Sequence, residues 1–300
     1  MRWRLALGVL AVSLAAPLIR WAAAPAAFLA AGRLTLAAAV LLPLALFGPG
    51  PRFEAWRPRH YGLTLASGLL LGAHFLCWIT SLGLTSVASS VFLVTLHPVV
   101  TSALGALFNR DRVGSRLGWG LALSALGAAA LVGPDILRER AGAHPGLLRG
   151  DLLAFLGGLC ASGYFLLGRA VRRDCSTRTY ASASYSVAAL AAWGGVLASH
   201  THLGALPPRA WIAAVAMALG PQLLGHTTLN WALRRLAAGP VAVAITGEPV
   251  MASLIAWAWF REAPPWGLAV AAPLVALGIY LSTQAPAVPA GGRAEAATAV

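Results

Sequence analysis

Two ionisable residues lie deep inside long apolar stretches of this sequence, and each directly precedes a proline. Glu248 is the eleventh residue of the stretch Ala238–Phe260, and His97 is the eleventh of Val87–Phe108. An ionised acid near the middle of a bilayer costs about 2.5–3.5 kcal/mol, so such a group faces a bundle interior or a cavity. We interpret Glu248 as a proton carrier or as the partner of a cationic substrate group. The alternative is a neutral carboxyl group hydrogen-bonded within the bundle.

His97 is chemically suited to proton exchange because imidazole gains and loses a proton near neutral pH. A neutral histidine that bridges two helices accounts for it equally well, and both interpretations stay open. The prolines that follow, Pro98 and Pro249, lack a backbone N–H and leave a carbonyl of the preceding turn unpaired. For Pro249 that carbonyl belongs to Ile245, and nearby polar atoms can satisfy it. We therefore assign both prolines structural or gating roles.

A stripe of polar residues marks another apolar stretch, beside Pro221. Gln222, His226 and Asn230 are spaced at i, i+4 and i+8, which places them on one face of a helix. In hydrocarbon such a stripe turns towards water, a substrate or another helix. We predict substrate contact, and hydrogen bonding between helices is the alternative.

His74 and Trp78 share a helix face by the same spacing. We interpret Trp78 as an aromatic wall for a substrate, with His74 beside it. A tryptophan packed in the bundle core is the alternative.

Arg33 and Pro17 are further candidates for structural or gating roles. Arg33 lies about one third of the way into an apolar stretch, where it either anchors a buried network of acceptors or extends its guanidinium to the membrane surface. Pro17 frees the carbonyl of Ser13, which fits a hinge and equally fits a static kink.

Asp111 and Glu262 each follow an arginine at the end of an apolar stretch. An arginine near a helix C-terminus complements the helix dipole, and the neighbouring acid is free to pair with another loop. We interpret the two acids as gate or packing elements. Surface pairing without consequence is the alternative.

The composition identifies the elements that position these residues. The 300 residues are 59% hydrophobic and 10% charged, with a mean hydropathy of +0.75. Ten membrane spans need about 200 residues, which leaves about 100 for loops and tails and none for a soluble domain. A net charge of +13 would indicate nucleic-acid binding in a soluble protein, but here the arginines are scattered over short loops and form no stripe. We expect an all-α, polytopic membrane protein.

Ten apolar segments predict ten transmembrane helices. They are Leu5–Ile19, Ala26–Leu46, Gly62–Leu82, Val87–Phe108, Leu117–Val132, Leu152–Ala170, Tyr180–Leu197, Trp211–Leu233, Ala238–Phe260 and Trp266–Leu281. We divide the chain into a first five-helix repeat (1–132), a linker loop (133–150), a second repeat (151–281) and a disordered cytoplasmic tail (282–300).

The two halves repeat with a nearly constant offset. Ser13 and Arg20 recur 149 residues later as Ser162 and Arg169, and His97 recurs 151 residues later as Glu248, again before a proline. Because five is odd, the second copy enters the membrane from the opposite side. Inverted repeats of this kind place a substrate site near the midplane, between the halves.

Loop charges predict the orientation. With the N-terminus inside, 15 of the 22 arginines lie on the inner side and six on the outer side. Basic residues concentrate on the cytoplasmic side of membrane proteins. We therefore expect both termini in the cytoplasm and the protein in the bacterial inner membrane.

Several of these pieces resemble the drug/metabolite transporter superfamily, specifically EamA-like transporters with two five-helix repeats. The matching residues are Arg33, Trp78 through Val87, Asn109-Arg110-Asp111-Arg112, Asn230 through Leu236, Glu248-Pro249-Val250 and Phe260-Arg261-Glu262. The likeness runs from Leu5 to Leu281. His97 stands where the family usually has a small polar residue, and Asp111 replaces its usual glutamate. The resemblance implies an inward-facing Arg33 and the transport of amino acids, other metabolites, relatives of sugars or drugs.

We therefore predict a secondary active transporter that exports a small organic metabolite, amino-acid-like or drug-like, by alternating access, with proton exchange as the candidate driving force. No phosphate-binding GxxxxGK[ST] motif is present, which argues against direct use of ATP. The alternatives are a membrane-embedded enzyme, and a receptor or scaffold without transport. We expect a small-molecule substrate and the lipid bilayer as partners, no nucleic acid, no cofactor and no metal, and we leave a homodimer open.

Overall fold

The structure, a computed structural model, describes residues 2–48, 53, 56–108, 115–140, 142, 145–172, 174–226, 228, 245 and 247–283. All of its regular structure within these ranges is helical, as the sequence predicts. Helices dominate because a backbone in lipid must satisfy its own hydrogen bonds.

Seven helices belong to the first half of the chain. They are α1 (Arg2–Ser13), α2 (Ala15–Ala22), α3 (Ala26–Phe47), α4 (Pro58–Ser81), α5 (Val87–Val94), α6 (His97–Phe108) and α7 (Ser115–Arg140).

The second half contributes the remaining described helices. They are α8 (Leu147–Val171), α9 (Thr177–Ala198), a short 3₁₀ turn (Leu203–Ala205), α10 (Pro208–Met217), a π-helical segment (Ala218–His226), α11 (Gly247–Phe260) and α12 (Gly267–Thr283). Helices α7 and α8 extend into the polar stretch 133–150, so the loop between them is shorter than that stretch.

Five described helices are long and apolar enough to cross a membrane: α3, α4, α7, α8 and α9. Shorter apolar helices cover Ala6–Ala22, Val87–Thr101 and Gly267–Leu281. The chain is therefore a multi-pass membrane protein of the predicted ten-helix class.

The packing of the helices shows the relation between the two halves. We number the ten predicted apolar segments as spans 1 to 10 in chain order. Span 2 packs on span 7 (α3 on α9), and span 5 packs on span 10 (α7 on α12). Span 3 packs on span 6 (α4 on α8), and span 1 packs on span 8 (α1 on the π-helical segment). If each span is replaced by its equivalent in the other half, five spans along the chain, the contact of spans 3 and 6 becomes that of spans 8 and 1. The contacts of spans 2 and 7 and of spans 5 and 10 stay the same. This is the pattern of two inverted five-helix repeats around a pseudo-twofold axis.

Three spans that the sequence predicts as continuous are interrupted near their middle. The first breaks at Leu14, the fourth breaks at Thr95 and Leu96, and the eighth passes into the π-helical segment that contains Pro221. Irregular backbone at membrane depth is tolerated where it is buried in protein or lines a cavity. The interruptions therefore indicate a cavity between the halves.

Side chains satisfy the backbone at two of these breaks. The Ser13 hydroxyl donates to the Val9 carbonyl over 2.7 Å. The Thr95 hydroxyl lies 2.8 Å from the Val91 carbonyl and 2.9 Å from that of Phe92. The Phe92 carbonyl, whose i+4 donor Leu96 bonds the Leu93 carbonyl instead, is thus paired locally by the Thr95 hydroxyl, which helps to stabilise this break in the apolar interior.

Glycines allow α4 to approach α9 closely, and one of them provides a stability test. A Cβ atom on buried Gly68 would lie 2.5 Å from the Cβ atom of Val187, whereas one on exposed Gly62 would meet nothing within 4 Å. We expect Gly68→Ala to destabilise the protein by about 1–3 kcal/mol through overpacking. The matched variant Gly62→Ala should change stability by less than about 1 kcal/mol. Apparent unfolding midpoints in detergent check this, and equal midpoints for the two variants would contradict the close packing.

Candidate functional site

A cavity of about 70 Å³ lies between the two halves. The residues that line it are Val12, Ala15, Arg33, Leu71, His74, Phe75, Trp78, Val94, Thr95, His97, Ala161, Tyr164, Phe165, Tyr185, Pro221, Gln222, His226 and Glu248. Six of the seven predicted substrate-binding residues are in this wall. The seventh, Asn230, lies outside the described residues.

Arg33 lies at the centre of the polar part of the wall. Its side chain is 0% exposed, so it does not extend to the membrane surface. One terminal nitrogen, Nη2, donates to the Gln222 Oε1 atom over 2.7 Å, and the guanidinium carbon lies 4.2 Å from the centre of the Phe75 ring. Its Nε and Nη1 atoms have no acceptor in the described part of the chain. Arg33 thus joins α3 to the π-helical segment through one nitrogen, and its other two nitrogens have no acceptor in the described part of the chain.

Glu248 is in electrostatic range of Arg33. Within the described ranges the two make no ion pair of 4.0 Å or less. Glu248 lies in the first described turn of α11, before buried Pro249, whose carbonyl accepts a 2.6 Å hydrogen bond from Ser253. Among the described residues that line the cavity, only Arg33 and Glu248 belong to types with a permanent charge near neutral pH.

Two histidines of the wall stack on aromatic rings. His74 donates from Nδ1 to the Gly157 carbonyl, since a carbonyl oxygen only accepts, and the N···O distance is 2.9 Å. This bond leaves its Nε2 atom without a proton in the neutral ring. The His74 ring is nearly parallel to that of Trp78, with centroids 6.1 Å apart, and His97 stacks on Phe165 at 4.9 Å. The wall therefore contains aromatic rings beside polar atoms.

His226 and Gln222 remain together although their segment is π-helical. A spacing of four residues stays close to one turn in either kind of helix, so both side chains reach the cavity. Among the described residues, no group of three His, Cys, Asp or Glu side chains is placed to hold a metal ion.

The sequence analysis missed the aromatic lining from α8 and α9, namely Tyr164, Phe165 and Tyr185. A signal for one of them was present. The offset of 149 residues pairs Ala15 with Tyr164 and Val12 with Ala161, and all four residues line the cavity.

The predicted gating residue Glu262 takes part in a polar network at one end of the bundle. Its Oε2 atom lies 3.5 Å from Nη1 of Arg20, and its Oε1 atom accepts the Val87 N–H over 2.7 Å. Arg20 also donates to the Thr85 carbonyl over 2.9 Å, and the Thr85 hydroxyl donates to Asp151 over 2.8 Å. We call these five residues the Arg20 cluster. It connects α2, α5 and α8 to the end of α11.

A smaller polar contact lies at the start of α4, at the end of the bundle opposite to the Arg20 cluster. There, the His60 Nε2 atom lies 3.2 Å from Oδ2 of Asp174, and the His60 Nδ1 atom accepts the Arg57 N–H over 3.0 Å. Asp111, predicted at this end of the bundle, lies outside the described residues.

The predicted prolines lie near the interruptions of their helices. Pro17 is buried in α2, three residues after the break at Leu14, and Pro98 is the second residue of α6. Because Pro17 cannot donate, the first bond across the break runs from the Leu18 N–H to the Leu14 carbonyl, at 3.0 Å.

Comparisons with known proteins agree with this architecture. A family model described as the EamA-like transporter family matches residues 4–133 and, a second time, residues 148–284. A protein of Bacillus subtilis (strain 168) named "Uncharacterized transporter YyaM" is 22% identical over 263 residues, which cover 87% of this chain and 85% of that protein.

A solved structure described as "Crystal structure of protein" has the same fold, with a TM-score of 0.64. It is 22% identical in sequence, and the match covers 92% of this chain and 94% of the other.

Proposed function

We propose that this chain, which belongs to the EamA-like transporter family and is therefore a membrane transporter, works by secondary active transport. It exports a small organic metabolite across the bacterial inner membrane by alternating access, and both of its termini are cytoplasmic. The observation that carries this proposal is the cavity between inverted halves, with Arg33 and Glu248 in an otherwise mainly aromatic and apolar wall.

The size of the cavity supports a cycle in which the two halves separate to admit the substrate. A volume of about 70 Å³ accommodates only a few water molecules. A metabolite with even one ring needs more space, so the halves must separate before it enters. The interruptions at Leu14 and at Thr95 and Leu96 are where such a movement bends the helices that contribute to the wall.

The Arg20 cluster supports a gate at one end of this cavity. It links α2 of the first repeat to the end of α11 in the second through Arg20 and Glu262. With both termini in the cytoplasm, the cluster lies on the outer side of the membrane. The closed cluster therefore blocks exit to the outside, and opening it separates the two repeats there.

The proposed function is tested by finding a substrate and then measuring its flux. Metabolites are profiled in the medium of cells with and without the protein, and the compounds that change are offered to proteoliposomes under an imposed proton gradient. We expect at least one compound to accumulate outside the expressing cells and to cross the vesicle membrane only when the protein is present. If no compound in either assay depends on the protein, the proposed function is wrong.

The gate gives a more local prediction. In a background without the three native cysteines, a cysteine in place of Thr95 reports access to the cavity. We expect Glu262→Ala to increase its labelling by a membrane-impermeant maleimide about fivefold in right-side-out vesicles, because a partly exposed ion pair contributes about 1 kcal/mol to closure.

The control for this test is Arg138→Ala. Arg138 pairs with Asp135 at 3.1 Å, but both residues are in α7, so this pair does not join the two repeats. Its loss should leave the labelling rate unchanged. If both variants label equally fast, the Arg20 cluster does not act as the gate.

A further inference from the structure

Arg33 holds two donors that the described part of the protein does not use. Its side chain is fully buried, yet its Nε and Nη1 atoms lack an acceptor there. A buried donor without a partner costs about 1–3 kcal/mol, and more when the group is charged. The Phe75 ring covers the guanidinium at 4.2 Å but accepts no strong hydrogen bond. This arrangement is suited to a ligand that brings oxygen acceptors, and a planar carboxylate matches a guanidinium well.

The charges of the cavity wall indicate that such a carboxylate ligand must bind together with a proton. With its histidines neutral, the wall carries one positive charge on Arg33 and one negative charge on Glu248. An added carboxylate would leave a net negative charge at membrane depth, at a cost of a few kcal/mol. A proton taken up by the wall removes that charge. Glu248 is the only acidic residue among the described residues that line the cavity.

We propose that Arg33 binds a carboxylate group of the substrate and that Glu248 takes up one proton from the medium in the same step. The substrate carboxylate then replaces Glu248 as the counter-charge of Arg33. Anion and proton leave the cell together, so export is driven by the outward gradient of the anion and is opposed by an inward proton gradient. The step forms one O–H bond on Glu248 and breaks no bond in the substrate. This inference rests on the proposed transport function and adds the substrate class and the coupled ion.

Other titratable groups face the same space. Those that line it are His74 from α4, His97 from α6, His226 from the π-helical segment, Tyr164 from α8 and Tyr185 from α9.

Helix α11 packs against α1, α2, α5 and α12. As far as the described side chains of these four helices go, none that is titratable lies in the cavity wall. The groups that compete with Glu248 for the proton are therefore the histidines of the cavity wall, His74, His97 and His226. The test must separate proton uptake by these histidines from proton uptake by Glu248.

The stacked pairs indicate the rest of the ligand. The rings of Trp78 and Phe165 each stack with a histidine and line the cavity. Once the halves separate, a flat, unsaturated body attached to the carboxylate can pack against such rings. Benzoate is therefore a suitable probe, with benzamide and benzylamine as neutral and cationic controls of nearly the same shape.

The experiment measures binding to purified protein in nanodiscs, without any flux. We expect benzoate to bind at least tenfold more tightly than benzamide or benzylamine at pH 6. In weakly buffered solution, at a pH at which Glu248 is ionised in the empty protein, about one proton should be taken up per benzoate bound. The apparent affinity for benzoate should fall by up to tenfold per pH unit where Glu248 is ionised in the empty protein.

Two pairs of variants assign the groups. Glu248→Gln should bind benzoate without proton uptake and without pH dependence, whereas Glu248→Asp should retain both. Arg33→Met should lose the preference for benzoate over benzamide, and Arg33→Lys should keep part of it. Proton uptake that persists in Glu248→Gln would assign the proton to a histidine and overturn the inference.

Equal affinities of the wild-type protein for benzoate and benzamide, or no binding of either, would also overturn it. These outcomes leave the proposed function intact if proteoliposomes still transport another compound. Conversely, binding with proton uptake but without any flux would contradict the proposed function and not the assignment of Arg33 and Glu248.

Discussion

Glu248→Gln is expected to reduce transport at neutral pH by about 100-fold and to remove its dependence on the proton gradient. The amide has the size of the carboxyl group but cannot gain or lose a proton. In the variant, the empty carrier must move the uncompensated charge of Arg33 through the membrane, which adds a few kcal/mol to the barrier. An additional barrier of about 2.7 kcal/mol corresponds to a 100-fold lower rate. Initial rates of uptake into proteoliposomes, measured from pH 6 to 8 with and without a proton gradient, check this result.

Glu262→Gln is the matched control for this measurement. Glu262 lies in the Arg20 cluster and not in the cavity wall. Its amide variant should change the rate through the gate while the pH dependence stays that of the wild type. If Glu248→Gln still exchanges substrate with the wild-type pH dependence, Glu248 has no part in coupling.

The fold could be predicted from the sequence because lipid leaves few alternatives. A span must be apolar over about 20 residues and mostly helical, so the number of spans follows from counting. The interruption at Thr95 and Leu96 could not be predicted in the same way. Pro98 indicated a disturbance, but its position depends on Thr95, whose hydroxyl bonds two carbonyls of the turn before it.

The cavity wall could be predicted only in part. Depth in a span and helical face were enough to select Glu248, His97 and Gln222, because polar residues in lipid must turn inward. Depth and helical face do not indicate Tyr164 and Phe165, because an aromatic side chain can pack anywhere in an apolar core. The bond between Arg33 and Gln222 joins residues 189 positions apart, and no periodicity in one helix indicates a contact of that kind.

The two halves place different chemistry at equivalent positions, and this has a mechanistic consequence. His97 and Glu248 are repeat equivalents, and both line the cavity. If they were alike, inverted symmetry would make the inward-facing and outward-facing states nearly equal in energy. A histidine opposite a glutamate removes that equality, because a change in protonation then acts on one repeat more than on the other.

The second large effect is expected when the charge of Arg33 is removed. Arg33→Met leaves Glu248 without a counter-ion among the described wall residues and takes the donor from Gln222. The two side chains form no ion pair of 4.0 Å or less within the described ranges, so we expect a loss smaller than the about 3–5 kcal/mol that breaking a buried ion pair costs. We expect the apparent unfolding temperature in detergent to fall accordingly, and transport to be lost.

The double variant Arg33→Met/Glu248→Gln separates charge balance from general damage at the site. Removing both charges should recover more than half of the lost stability, because neither group then remains buried and uncompensated. Transport should stay absent, since the groups proposed to bind the substrate and the proton are gone. Arg33→Met/Glu262→Gln should recover nothing, because Glu262 lies outside the cavity wall. Additive losses for Arg33 and Glu248 would mean that the two side chains do not balance each other, and the charge argument for a coupled anion and proton would fail with them.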